Sequence, residues 1–193
     1  MRVFAFVDPS TGKPSDVSAE VLHALASQLR LGAAVPDGVQ SYFNTAKNLF
    51  VHSYYHYGFV PVAAFLAASA VEMAVRTVYP FEPDPAQPKR KPRPFYSLLE
   101  QAIKEGRITE SGFTTLEKAR SKHREAMKAV ARAKGLKYTE STEPFEKQFL
   151  RSITRLRNLF AHPQEDHNLI TPEMAHGLML RSAEAINQLF RET

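Results

Sequence analysis

The chain contains no cysteine in 193 residues. That excludes disulfides, thiolate catalysis and cysteine-based zinc sites. Strand signals are nearly absent too: only Val3 to Val7 reads as a short strand or extended arm. No hydrophobic run has the length of a bilayer span. The most apolar stretch, Phe59 to Val71, is stopped by Glu72 and Arg76. The apolar residues within Met1 to Ser10 end at Asp8-Pro9, too short for a signal peptide. A cytoplasmic protein without membrane contact is the expectation. Ser10-Thr11-Gly12-Lys13 lacks the leading glycine of a phosphate-binding loop, and Pro14 stands where Ser or Thr should follow the lysine. His52 and His56 have a spacing that can hold zinc, yet no Glu stands beside His52 as in H-E-x-x-H and no third ligand is evident. Polar-aromatic packing among the neighbouring Tyr and Phe is the preferred reading, so neither a metal nor a cofactor is expected.

What is present is ordinary globular material, 44% hydrophobic and 23% charged, long enough for a sizeable core. The net charge of +5 is unevenly placed: residues 85–134 carry 13 Lys/Arg against 5 Asp/Glu, net +8, while the remainder carries 12 against 15, net −3. Basic charge gathered in one segment reads as a polyanion footprint.

Apolar spacing at intervals of three and four divides the chain into helices. Val17 to Leu31 is the first, with Val21, Leu22, Leu25 and Leu29 on one face and Gly32 as its stop. Val39 to Tyr57 is aromatic-rich and broken by Gly58. Pro61 then sits in the first turn of an alanine-rich helix reaching about Tyr79. Residues 80–94 hold six prolines and the run Lys89-Arg90-Lys91-Pro92-Arg93, an exposed extended loop. Helices follow over Phe95 to Lys104, Phe113 to about Lys134 (ended by Gly135), Phe145 to Ala161, and from a Thr171 N-cap with Pro172 to Arg191. The fold expected is all-α, a helical bundle with a short extended N-terminal arm. Residues 1–35 form an arm and helix packed on a main domain spanning 36–193.

The chemistry gathers where the helix from Phe145 runs out. Pro163 disfavours helical geometry at His162, so Arg157-Asn158-Leu159-Phe160-Ala161-His162 puts a guanidinium and an imidazole at a helix end. Arginine holds phosphate oxygens with a bidentate fork, and histidine moves a proton near neutral pH. RNA carries its own nucleophile, the 2′-hydroxyl. His162 as general base, or as acid in a partner's copy, and Arg157 as stabiliser of the non-bridging oxygens suffice without a metal. The products expected are a 2′,3′-cyclic phosphate and a 5′-hydroxyl. The alternative is a helix C-terminus whose Arg and His simply meet the dipole.

This stretch resembles the R-x4-6-H signature of HEPN domains, which favour a polar residue after the arginine, as Asn158 is here. The resemblance extends to the aromatic helix Tyr42 to Tyr57 leading into Ala70-Val71-Glu72-Met73-Ala74-Val75-Arg76, and to Ser97 to Ile103 followed by Gly106. It covers about Val39 to Arg191, although only the R-x4-H element is specific. It implies an antiparallel helical bundle that dimerises and faces two such motifs across a shared cleft. It also implies a metal-independent ribonuclease activity of the toxin–antitoxin or antiviral kind, with RNA as substrate and a cognate antitoxin or defence-system partner. The other implied reading is a catalytically silent module binding RNA or a nucleotide. Related toxins controlled by a nucleotidyltransferase often carry a tyrosine two residues after the histidine; Gln164 stands there.

Around the motif, Asn158 either bonds the phosphate or fixes the Arg157 rotamer. Glu72 either orients Arg157 or His162, or merely pairs with Arg76 at i, i+4. Arg151 and Arg155 either extend phosphate contact along the helix or form a solvated face. Lys89, Arg90, Lys91 and Arg93 are candidates for RNA contact from the loop, and the basic helix from Lys118 to Lys134 is either solvated or RNA-facing.

Overall fold

The computed structural model describes residues 5–7, 14–16, 18–83, 91–115, 125, 128–138, 144–161 and 170–191. Its architecture is helical, preceded by a two-stranded antiparallel ribbon. Strand β1 (Ala5–Val7) pairs with β2 (Pro14–Asp16), with Phe6 opposite Ser15. The helices are α1 (Ala19–Ser27), α2 (Asp37–His52), α3 (Phe59–Val78), α4 (Phe95–Lys104), α5 (Phe145–Ala161) and α6 (Pro172–Leu189). A 3-10 turn spans Glu110–Gly112.

Helix α3 is the axis on which α2, α4, α5 and α6 pack. Its alanines explain why. Ala63, Ala64, Ala67, Ala68, Ala70 and Ala74 are all buried, and their small side chains let neighbouring backbones approach from several sides. By length and composition α3 is the one helix among the described residues apolar enough to cross a membrane. Glu72 and Arg76 interrupt the apolar run but not the helix, which ends at Val78, one residue from the expected Tyr79. Its apolar face is instead taken up by the core with Phe43, Phe50, Leu99, Ile153 and Ile186.

The ends of the helices follow local chemistry. Ser18 Oγ accepts the Val21 N–H at 3.3 Å, so α1 begins at Ala19 and ends at Ser27, shorter than Val17 to Leu31. Val21, expected inward, is 38% exposed, while Leu22, Ala26 and Leu29 are buried. Helix α2 stops at His52, where Ser53 Oγ turns back to the Phe50 carbonyl at 2.6 Å. Thr171 caps α6 through the Met174 N–H at 3.2 Å, with Pro172 in the first position.

The expected helix from Phe113 is corrected in its first turn. Phe113 to Thr115 is not helical, because the Thr114 and Thr115 hydroxyls and the Thr115 N–H all bond Glu184 at 3.0 Å. Side-chain competition of this kind draws threonine out of helices. Phe113 instead packs edge-on to Phe145 at 4.9 Å. Residues 128–133 are helical and end at Gly135, whose φ of +64° favours glycine. Val130, an apolar residue of this segment, is 46% exposed. Residues 116–124, 126 and 127 of that expected helix, Lys118 among them, lie outside the described residues.

The N-terminal segment is tied to the last helix. Gly32 N–H donates to Asn187 Oδ1 at 2.8 Å, and Asn187 Nδ2 donates to the Arg30 carbonyl at 3.0 Å. His176 Nε2 donates to the Leu25 carbonyl at 3.1 Å, its ring stacked on Phe50.

Candidate functional site

Helix α5 presents two faces. At 3.6 residues per turn, Arg155 and Arg157 are separated by roughly 160° around the axis. Arg151, Arg155 and Asn158 are on the exposed side, whereas Arg157 turns toward α3 and is half-buried. Ile153 and Phe149, fully or nearly buried, fix that rotation against the core.

Glu72 is where α3 meets the motif helix. Its carboxylate is only 14% exposed and receives two guanidiniums on separate oxygens. Arg157 Nε donates to Oε2 at 2.9 Å, while Arg76 Nε and Nη2 donate to Oε1 at 3.1 and 2.8 Å. Orientation of Arg157 and pairing with Arg76, alternatives at the level of sequence, are therefore both present. Arg157 Nη1 also donates to Asn158 Oδ1 at 3.3 Å. With Nε held by the carboxylate and Nη1 by Asn158, Nη2 is the edge of the fork without a partner among the described residues. Charge-assisted bonds of this kind fix the rotamer as well as the charge.

Beside this cluster, between α2 and α3, opens a hollow of about 410 Å³ lined by Tyr42, Ser69, Glu72, Met73, Arg76 and Thr77. Its wall combines a phenol ring, a thioether and the two charges.

His162, Lys89 and Arg90 lie outside the described residues. Lys91 and Arg93 are exposed. Arg93 is drawn to α4: its Nη1 donates to Gln101 Oε1 and its Nη2 to the Ser97 carbonyl at 3.4 Å, while its own carbonyl accepts Arg76 Nη1 at 3.4 Å. His52 and His56 do not share a helix face, since α2 ends between them. The His52 ring lies against Tyr55 and that of His56 edge-on to Phe59 at 5.3 Å.

Sequence reasoning missed Tyr79, whose hydroxyl donates to Glu105 Oε2 at 2.5 Å. Burial first, and that carboxylate acceptor second, push the phenol up to about 12, so it is a proton-bearing donor at neutral pH. It also missed His176, which burial pushes below the ordinary histidine value. No spacing rule links Tyr79 to Glu105, 26 residues away across the proline-rich loop.

Comparison with known proteins yields no match: no family model fits the chain, and no curated protein or solved structure is similar to it.

Proposed function

We propose that the protein is a metal-independent endoribonuclease of HEPN type, acting in the cytoplasm as a homodimer and serving as a growth-arresting toxin or antiviral effector. The observation that carries this reading is the Glu72–Arg157 bond. The arginine of the R-x4-H element is not a loose surface charge. It is oriented by a nearly buried carboxylate from a neighbouring helix, as a group that must meet a phosphate in one geometry requires.

In the proposed reaction His162 removes the 2′-hydroxyl proton, the oxygen attacks the adjacent phosphorus, and the P–O5′ bond breaks. Arg157, steadied by Glu72 and Asn158, meets the charge on the non-bridging oxygens. The 5′-oxygen takes a proton from a second imidazole, that of the partner subunit's motif. One histidine cannot serve as base and acid in the same step, which is the chemical reason for a shared site.

The test is expression of wild type beside His162→Ala and Arg157→Ala in a bacterial host, with RNA integrity as readout. Degradation confined to wild type supports the proposal; intact RNA in all three cultures removes it. The second reading, a catalytically silent module binding RNA or a nucleotide, draws on the same bond. Arg157 also braces α3 against α5, a structural use that survives loss of catalysis.

A further inference from the structure

A second cavity, of about 300 Å³, shares Arg76 with the Glu72 hollow. Arg76 and Arg93 line it together with Tyr79, Phe81, Glu82 and Leu98. Three features give it the chemistry of a binding site. Two guanidiniums, those of Arg76 and Arg93, line it: Arg76 shares the Glu72 carboxylate with Arg157 and donates to the Arg93 carbonyl, while the Arg93 guanidinium has neutral partners, Gln101 and Ser97. Arg93 thus brings to the cavity a positive charge that no carboxylate among its bonds offsets. Arg93 is preorganised by Gln101 and Ser97, so an anion meets an already oriented guanidinium. Aromatic and apolar side chains line the same cavity, with Phe81 39% exposed and Tyr79 anchored on Glu105.

We propose that this cavity is a nucleotide subsite, taking one residue of a single-stranded RNA with its phosphate on Arg76 and Arg93 and its base against Phe81 and Leu98. A free phosphate uses the forks but not the apolar wall; a base in a duplex stays in its stack and does not enter. The volume lies at the lower end of small-molecule sites, about 300–1,000 Å³, which fits one nucleotide. Arg76 links the subsite to Arg157 through Glu72, so the strand held here leads directly to the motif helix. The inference rests on the ribonuclease reading for its meaning in catalysis, while the binding itself is measurable without cleavage.

Calorimetric titration of the full chain carrying His162→Ala tests it, with three probes: inorganic phosphate, adenosine 5′-monophosphate and a short single-stranded oligoribonucleotide. The oligoribonucleotide should bind most tightly and phosphate most weakly. Phe81→Ala, in an otherwise identical chain, should weaken both nucleotide probes by about fivefold or more, the loss of one base stack, and leave phosphate unchanged. Arg93→Ala should weaken all three, with Arg93→Lys intermediate because it keeps the charge and loses the fork. If Arg93→Ala melts early, the exposed Phe81 variant and Arg93→Lys still decide the matter. Equal affinity of parent and variants overturns the subsite. A mononucleotide that binds as tightly as the oligoribonucleotide overturns the assignment to an RNA strand in favour of a free nucleotide. RNA binding that depends on Phe81 and Arg93 in a protein whose wild type cleaves nothing keeps the subsite and removes the ribonuclease. Cleavage by wild type that is indifferent to both substitutions does the reverse.

Discussion

Arg157 and Glu72 stand 85 positions apart in the chain and meet through a 2.9 Å bond that joins α5 to α3. The carboxylate serves Arg76 at the same time, so its removal leaves two partly buried guanidiniums without their acceptor. Glu72→Ala should therefore lower stability by about 1–3 kcal/mol. Glu72→Gln, which keeps the shape and one strong acceptor, should lie between it and wild type. A urea titration of Glu72→Ala, Arg157→Ala and the double variant checks the coupling; strictly additive losses mean that the bond carries no energy.

Cleavage, where present, should survive EDTA. The chain has no thiolate, and among the described residues no group of three His, Cys, Asp or Glu side chains is placed to hold a metal ion. An arginine and two imidazoles suffice for attack by the 2′-hydroxyl. Activity lost on chelation and restored by Mg²⁺ or Mn²⁺ removes this mechanism.

Neutralising Lys89, Arg90, Lys91 and Arg93 together should weaken RNA binding and flatten its dependence on salt. Each lost contact with single-stranded RNA reduces the slope of log K against log salt by about 0.7. A slope identical to that of wild type shows that this loop touches no phosphate.

Much of the fold was legible because it rests on periodicity and punctuation. Helices α4 and α5 occupy the residues their apolar spacing predicts, and Thr171-Pro172 opens α6. The failures are places where a side chain outbid the local pattern. Glu184 draws Thr114 and Thr115 out of a helix, and Ser53 closes α2 five residues before Tyr57. At the site, the R-x4-H spacing marks Arg157, and the i, i+4 rule marks Arg76 with Glu72. The joining of all three requires the packing of α5 on α3, which no local pattern encodes. The Arg76–Arg93 cavity was hidden for the same reason: its walls come from α3, α4 and the segment between them.

Acidification should destabilise the protein through His176. Its folded value lies below the unfolded one because burial against Phe50 and Leu25 favours the neutral ring. The sign follows: this contribution is fully present above the ordinary histidine value near 6.5 and is lost as pH falls through the lower folded value. His176→Gln should melt with a shallower pH dependence between neutral and mildly acidic buffer. Parallel melting curves for the two proteins across that interval contradict the assignment.

Gly112 should not tolerate alanine. A Cβ there overlaps the Gln188 amide and the Arg191 guanidinium, and Gln188 is buried with its Oε1 accepting the Thr109 N–H at 2.8 Å. Displacing that amide breaks a buried bond, so Gly112→Ala should cost about 1–3 kcal/mol. Thermal denaturation checks it, and an unchanged midpoint shows that the Gln188 side chain moves freely.

The tie from Gly32 to Asn187 closes a span of 155 residues. During synthesis at about 5–20 residues per second, α1 and the turn after it wait roughly 10–30 s for their partner to be made. Until then Leu22, Ala26 and Leu29 have no completed core to enter, and α3 lacks the helix that covers one of its sides. Contacts this distant slow folding and make it cooperative. The nascent chain therefore completes its fold late, and whatever α3 and α5 do together begins only once translation has passed α6.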